Sequence, residues 1–367
     1  MRLRKWALLV LWLAAVAVSA SALNLCEYTM PETNIVEMSS SFSYRYYRDP
    51  ARPAADINSG RFSIGYSHLY DTSLLGFELV GAGNFVLSEL ALASMDTQAS
   101  GRMQRYLGAD TPYFAYGGFD GGVTTEFPQP SLGVETGLGY GRFSDVTPLA
   151  KALRVERRLL EMGAVAASFP DGAVMDMAKE IGRAEEYETI ADLLTAIEEL
   201  ILDATGTRLQ ARALLALEEI IEETGWERYC GWNVTLGASY DVLDPRGEGR
   251  DVMIKLAGDV ALAPEPGSQM RLSASYSMPP YPAERKSSVN LTASYDYRLN
   301  DITSFHVDYL LRHDSYAERS EGSQSATFQL AFSLGGVDVS VQLAFAKRAE
   351  AEEWTQDMVL SAVVRLL

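Results

Sequence analysis

The sequence predicts an all-β fold, an antiparallel up-and-down barrel of about 14 strands with an insertion of three or four amphipathic helices. Three observations support this prediction. Apolar and polar residues alternate over many short segments, the links between these segments differ in length in a regular way, and one central region changes to helical spacing.

Eight alternating segments follow Tyr229. In VNLTASYDYR, residues 289–298, Val289, Leu291 and Tyr295 lie on one face, while asparagine, threonine, serine and aspartate lie on the other. A strand with two unlike faces buries its apolar side against either a protein core or lipid. A secreted sandwich or a soluble barrel would alternate in the same way, so alternation alone leaves both environments open.

The N-terminus indicates an exported protein. Residues 1–22 combine the basic start MRLRK, the apolar run WALLVLWLAAVAV and the small residues Ala-Ser-Ala, which together predict a cleaved signal peptide. The alternative is a membrane anchor, but the 13-residue run is shorter than the roughly 20 residues that a spanning helix needs. We therefore expect residues 23–36 to form an N-terminal segment in the periplasm.

The lengths of the links favour a membrane barrel over a sandwich. Short links such as LND and Gly335-Gly336 alternate with longer polar ones such as HDSYAERSEGSQS. Short turns on one rim and long loops on the other are typical of strands that cross a bilayer. The chain thus resembles bacterial outer-membrane β-barrel proteins at the level of the class, although it ends in Leu367 where that class commonly ends in an aromatic residue.

This resemblance implies a Gram-negative outer-membrane location, with apolar side chains on lipid and polar ones in a wet lumen. Strands one to six are expected within 37–146 and strands seven to fourteen within 226–367. The first six are expected near 37–48, 61–70, 73–81, 84–95, 101–118 and 131–144. Six strands are expected before residues 147–225 and fourteen in all. Because both numbers are even, residues 147–225 are expected on the same rim as both termini, which is the periplasmic rim.

The two cysteines of the chain then lie on one side of the membrane. Cys26 precedes the first strand and Cys230 begins the seventh. In an exported protein this placement predicts a disulfide between them, the alternative being two free thiols in an unsuited geometry.

Residues 147–225 have helical rather than strand spacing. Thr147 is expected as an N-cap, a second helix is expected from Asp171, and Gly206 can end a helix before Thr207 caps the next. The region holds eight Lys and Arg residues against sixteen Asp and Glu residues. A solvated face explains most of this excess; the alternative is an acidic docking surface for a periplasmic protein partner.

Polar residues of the C-terminal strands are expected to line the lumen. These pore-lining candidates carry both signs of charge, which favours passage of small hydrophilic solutes over sharp ion selectivity. They are Lys255, Asp259, Arg271, Asp296, Arg298, His306, Asp308, Arg312, Asp338, Gln342 and Arg365.

Four glycines of the sixth predicted strand form a smooth inner wall. Gly133, Gly137, Gly139 and Gly141 share one register, and glycine within a strand often marks the close approach of another backbone. We expect either a helix or loop that packs on this wall, which would narrow the pore, or a bend of the strand as the sheet closes.

Composition argues against several other functions. The net charge of -18 argues against a nucleic-acid partner, and only three histidines are present. His306 and Asp308 are the only candidate catalytic pair, with Ser294 or Ser304 merely available nearby, so we expect neither an enzyme nor a metal or cofactor site. The favoured function is a passive channel; the alternative is an outer-membrane anchor whose helical module binds an envelope partner.

Overall fold

One antiparallel sheet of 14 strands in chain order forms most of the molecule, and four helices lie between its sixth and seventh strands. These counts confirm the predicted strand number, strand order and helical insertion. The structure is a computed structural model that describes residues 23–29, 32–47, 57–109, 111–223, 226–245, 252–281, 287–300, 302–315, 320–334, 337–348 and 353–364. The predicted signal peptide lies outside these residues.

Each strand pairs with its neighbours in sequence. The first seven strands are β1 (Glu32–Tyr47), β2 (Ile57–Thr72), β3 (Leu75–Ser88), β4 (Ala91–Tyr106), β5 (Tyr113–Thr124), β6 (Ser131–Asp145) and β7 (Tyr229–Leu243). The other seven are β8 (Val252–Leu262), β9 (Ser268–Met278), β10 (Ser287–Asn300), β11 (Thr303–Ser315), β12 (Ser320–Leu334), β13 (Val337–Arg348) and β14 (Thr355–Val364).

The bounds expected for the third, fourth and fifth strands were wrong. The chain turns at Glu89 and Leu90, where we expected strand, and it runs straight through Ala82 and Gly83, where we expected a turn. Both turn residues have positive φ values, 53° and 66°, a conformation that turn rules assign to glycine or asparagine. The sequence therefore carried no standard signal at the true turn.

The sheet is open, whereas we expected a closed barrel. Within the described residues, β1 pairs only with β2 and β14 pairs only with β13. β1 has 16 residues and β14 has 10, and residues 365–367 lie outside the description. Alternation of apolar and polar residues identifies the two faces of a strand but not the strand it pairs with. The sequence pattern therefore contains no direct information on whether β1 and β14 pair.

The four helices are α1 (Thr147–Glu161), α2 (Asp171–Gly182), α3 (Ile190–Thr205) and α4 (Ala211–Glu222). Their apolar stripes meet in a core that includes Leu149, Met177, Ile197 and Leu217, each at most 1% exposed. This core explains why a region without strand spacing folds beside the sheet. We refer to these four helices as the helical module.

The ends of the helices follow the expected rules in part. α2 begins at Asp171 as predicted, and Gly206 ends α3 with φ of 68°, which glycine adopts without cost. Thr147 is the first residue of α1 rather than its cap, which is Val146; the side chain of Asp145 accepts the backbone N–H of Thr147 at 2.8 Å. Thr207 does not cap α4, whose N-cap is Gln210.

The N-terminal segment is attached to the helical module. Leu25 and Tyr28 are 3% exposed and belong to the module's core, and the hydroxyl of Tyr28 donates to the Ala178 carbonyl at 3.1 Å. Cys26 and Cys230 form a disulfide with a Cα–Cα distance of 5.1 Å. The segment is thus fixed both by packing and by a covalent bond to β7.

The helical module lies at one end of the sheet. Because consecutive strands are antiparallel, every link after an even-numbered strand lies at the end where β6 leads into α1. Arg228 attaches the module to this end: its backbone carbonyl accepts from Val146 N–H at 2.8 Å, and its Nε donates to the Pro266 carbonyl at 3.2 Å. We call this end the helical rim.

Candidate functional site

The two faces of the sheet differ in polarity, as register comparisons between neighbouring strands show. Leu138, Leu236, Leu256, Tyr276 and Val289 pair in sequence across β6 to β10 and form one apolar row. The exposed fraction falls along the row from 66% at Leu138 to 36% at Val289. Large apolar side chains in a continuous exposed row require an explanation beyond the scattered exposure that is normal on a soluble surface.

The opposite face of the same strands is polar. Asn233, Asp259, Ser273 and Thr292 pair across β7 to β10 and form a row that lines a cavity. Ser273 donates a hydrogen bond to the carboxylate of Asp259. We call the face that carries the apolar row the outer face and this polar side the inner face.

Aromatic side chains gather on the outer face close to the helical rim. The ring centroids of Tyr113 and Tyr140 lie 4.8 Å apart, and those of Tyr140 and Trp232 lie 5.5 Å apart. All three side chains are exposed by more than a third. Tyrosine and tryptophan combine an apolar ring with a polar group, which is the composition found where a membrane meets water.

The inner face curls around a central cavity of about 760 Å³. Residues of nine strands, from β2 to β11 with β5 excepted, line it. The side chain of Arg142 in β6 donates to the backbone carbonyls of Thr72 and Ser73 at the end of β2, at 3.2 and 2.7 Å. Strands far apart in the sheet therefore face each other across this space.

Three of the predicted pore-lining residues, Asp259, Arg271 and Asp308, line the central cavity. The guanidinium of Arg271 lies 5.0 Å from the centre of the Tyr229 ring. Lys255 also lies on the inner face, where its Nζ is 3.0 Å from a carboxylate oxygen of Glu135 in β6. These four residues are thus brought to one side of the sheet.

The other pore-lining candidates are distributed more widely. Arg312 forms an ion pair with Asp314 at 2.8 Å, and Gln342 lies opposite Gln329 in the β12–β13 register. The side chain of Asp338 and the whole of Arg365 lie outside the described part of the chain.

His306 lies between two aspartates. Its Nδ1 is 2.5 Å from Asp296 and its Nε2 is 2.5 Å from Asp308. Both ring nitrogens therefore have a carboxylate partner, and this arrangement leaves neither nitrogen to accept a proton from Ser294 or Ser304. The geometry gives no support to a serine nucleophile at this position.

Arg298 serves the helical rim rather than open lumen. It forms an ion pair with Glu223, which follows α4, and Glu223 also pairs with Arg154 of α1 at 2.5 Å. Burial by itself raises the pKa of Glu223, but the guanidinium groups of Arg154 and Arg298 outweigh this effect and hold the pKa below its usual value of 4.5. One ionised carboxylate therefore joins the helical module to β10.

The inner face of the N-terminal strands contributes candidate site residues that our sequence interpretation omitted. Arg102 lies 4.0 Å above the Tyr116 ring and 3.9 Å from Glu135, the residue that also pairs with Lys255. Arg142 lies 3.9 Å above the Tyr106 ring. The alternation of Arg102, Gln104 and Tyr106 in β4 was the available signal, but it was obscured by the wrong bounds of that strand.

Aromatic rings cover the glycine wall of β6. A Cβ at Gly139 would collide with the Phe114 ring, and one at Gly137 would lie 2.7 Å from the Tyr116 ring. Gly133 faces the carboxylate of Asp120, and Gly141, with φ of 120°, lies against the backbone of Trp232. Rings of the neighbouring strand β5 therefore cover the Gly137 and Gly139 part of this surface, as aromatic side chains do at glycines in other sheets.

No family model matches the chain, and no curated protein matches it. Among the described residues, none of the helices combines the length and the apolar character needed to cross a membrane. The same residues contain no group of three or more His, Cys, Asp or Glu side chains arranged to hold a metal ion.

Proposed function

We propose that the protein is an outer-membrane β-barrel that acts as a passive channel for small hydrophilic solutes. The observation that carries this proposal is the exposed apolar row from Leu138 to Val289 on the outer face, opposite a polar inner face around a cavity. Such side chains gain most when hydrocarbon rather than water surrounds them. The pairing of β14 with β1, which a closed barrel requires, is part of the proposal.

The aromatic group Tyr113, Tyr140 and Trp232 supports a membrane boundary near the helical rim. On this reading the rim faces the periplasm, and the helical module lies beneath the membrane. Polar side chains in the cavity make it suitable for water and hydrophilic solutes, and closure of the sheet removes the unpaired edges that lipid would not tolerate.

Current measurements in planar lipid bilayers test this function. The purified full chain should give steady currents at a fixed voltage, and it should need detergent to stay in solution. A chain that stays monomeric without detergent and gives no current would overturn the proposal.

A second function is favoured by one specific observation, the firm attachment of the helical module through Glu223 and the disulfide. A module held at the rim could present its acidic surface to an envelope partner while the barrel serves as an anchor. Deletion of 147–225 separates the two functions: a silent wild-type chain that conducts after deletion supports a plugged anchor, whereas equal conductance in both supports the open channel.

A further inference from the structure

We propose that the passage carries cations in preference to anions. This inference rests on the proposed channel function and names the class of solute that the channel favours. It differs from the sequence-based expectation, in which the C-terminal strands gave a mixed lining without a dominant sign. The difference arises because the N-terminal strands, which were not included in that expectation, contribute additional acidic residues to the inner face.

Carboxylates outnumber cationic groups around the central cavity. Its lining contains six acidic and two basic residues, a formal difference of four negative charges. The acidic residues are Asp71, Glu78, Asp145, Glu227, Asp259 and Asp308, and the basic ones are Arg102 and Arg271.

Negative charge also predominates in a second cavity toward the end of the sheet that lies opposite the helical rim. A second cavity of about 560 Å³ lies between β3, β4, β5 and β6 near the β3–β4 turn. Its described lining contains Asp96, Asp120 and Glu126 and no lysine, arginine or histidine. A solute that passes along the inner face therefore meets negative charge in both cavities.

The basic groups of the inner face are largely committed to other partners. Lys255 and Arg102 share the carboxylate of Glu135, Arg298 pairs with Glu223, and Arg142 is bound to backbone carbonyls. By contrast, Glu78, Asp96 and Asp120 form no ion pair within the described part of the chain.

Unsatisfied buried atoms also point to a polar occupant of the central cavity. Asp71 Oδ1 and Asn233 Oδ1 belong to lining residues, are buried, and have no hydrogen-bond partner among the described residues. Both of these atoms are acceptors, which suit the water shell of a hydrated cation. A donor of the same lining without a hydrogen-bond partner, Arg102 Nε, lies 3.9 Å from a carboxylate oxygen of Glu135.

The negative charges on the inner face act across much of the width of the passage. The Debye length is about 8 Å at physiological ionic strength, so charges on the wall act over much of a narrow lumen. Apolar walls focus the field of such charges, and carboxylate side chains in a pore select for cations.

The reversal potential of single channels under a KCl gradient tests the inference. The reversal potential of the wild-type current should be shifted from zero toward the equilibrium potential of K⁺, which corresponds to a K⁺/Cl⁻ permeability ratio above one. The combined variant Glu78→Gln, Asp96→Asn and Asp120→Asn should move this ratio toward one while the channel still conducts. The matched control is Glu198→Gln, Glu199→Gln and Asp203→Asn in α3, which makes the same change in net charge and should leave the ratio unchanged.

The outcomes separate this inference from the channel function itself. A wild-type reversal potential at zero, or one shifted toward the equilibrium potential of Cl⁻, would overturn the cation preference but leave the channel function in place. Equal shifts in both triple variants would also overturn it, because the effect would then follow net charge rather than the inner face. Complete absence of current would overturn the channel and the inference together.

Discussion

Glu223 and Arg298 form an ion pair although 75 residues separate them in sequence. Their side chains are only 21% and 16% exposed, and Glu223 contacts Arg154 of α1 as well. A single carboxylate thus joins the end of α4, the first helix α1 and the strand β10. The attachment of the module to the sheet depends on charges that can be removed one at a time.

Replacement of Glu223 by glutamine should weaken this attachment. Loss of the carboxylate leaves two partly buried guanidinium groups without their anion, at a cost of about 1–3 kcal/mol. Thermal melting of the helical circular dichroism signal in detergent should therefore begin at a lower temperature. The control Glu186→Gln removes an exposed pair with Arg183 at 3.9 Å and should change little; equal effects of both variants would argue against the role of Glu223.

The carboxylate of Glu223 should also make the stability of the folded protein depend on pH. Its pKa is lower in the folded protein than its usual value of 4.5, so it binds fewer protons when folded and stabilises the protein above that pH. The contribution is lost as the pH falls through the folded pKa. The difference in melting temperature between wild type and Glu223→Gln should be constant near neutral pH and shrink below 4.5; a difference that grows on acidification would contradict this sign.

Reduction of the Cys26–Cys230 disulfide should loosen the N-terminal segment. The bond closes a loop across a separation of 204 residues, and a loop of that length contributes roughly 5 kcal/mol in chain-entropy estimates. Cys26→Ser should therefore lower the melting temperature of the module and expose residues 23–29 to protease. Thiol labelling of the unreduced, denatured wild type provides the direct check, since labelling of both cysteines would exclude the bond.

Substitution of Gly139 by alanine should disturb the glycine wall. The new Cβ would collide with the ring of Phe114, which is 2% exposed and has little room to move. Overpacking of this kind costs about 1–3 kcal/mol. The control is Gly117→Ala in β5, where the nearest atom is 3.8 Å away. The measurement is the sample temperature at which the folded band is lost on unheated gels, and we expect only Gly139→Ala to lower it. Equal shifts of this temperature in both variants would show that contact with the Phe114 ring does not matter.

A charge on the apolar row tests its contact with lipid. Leu236→Arg should reduce insertion into vesicles, because an arginine near the middle of a bilayer costs about 2–4 kcal/mol on the outside of a barrel. Leu215→Arg in α4 is the matched control, since Leu215 is 65% exposed and Leu236 is 58% exposed. A soluble protein would tolerate both changes alike, and that result would count against a membrane location.

Much of the architecture followed from periodicity. The alternation of apolar and polar residues located the eight C-terminal strands, and helical spacing located the start of α2 at Asp171 and the end of α3 at Gly206. These signals are local, because the direction of a side chain is fixed by the backbone of its own segment. They carry no information on which side chains meet after the sheet curls.

The contacts that were missed are therefore long-range ones. Arg298 was expected in the lumen, yet its partner Glu223 lies in a link whose position depends on the packing of four helices. The rings that cover Gly137 and Gly139 come from β5, whose bounds were wrong. The turn at Glu89 was hidden because its conformation is unusual for that residue type.

The covalent bond between Cys26 and Cys230 encloses six strands and all four helices within one ring of chain. A peptide bond broken anywhere inside that ring, for example in a link between β3 and β4, leaves two pieces that still migrate together. They separate only when a reductant is added. Under the export that we propose, this ring is completed only after Cys230 has reached an oxidising compartment.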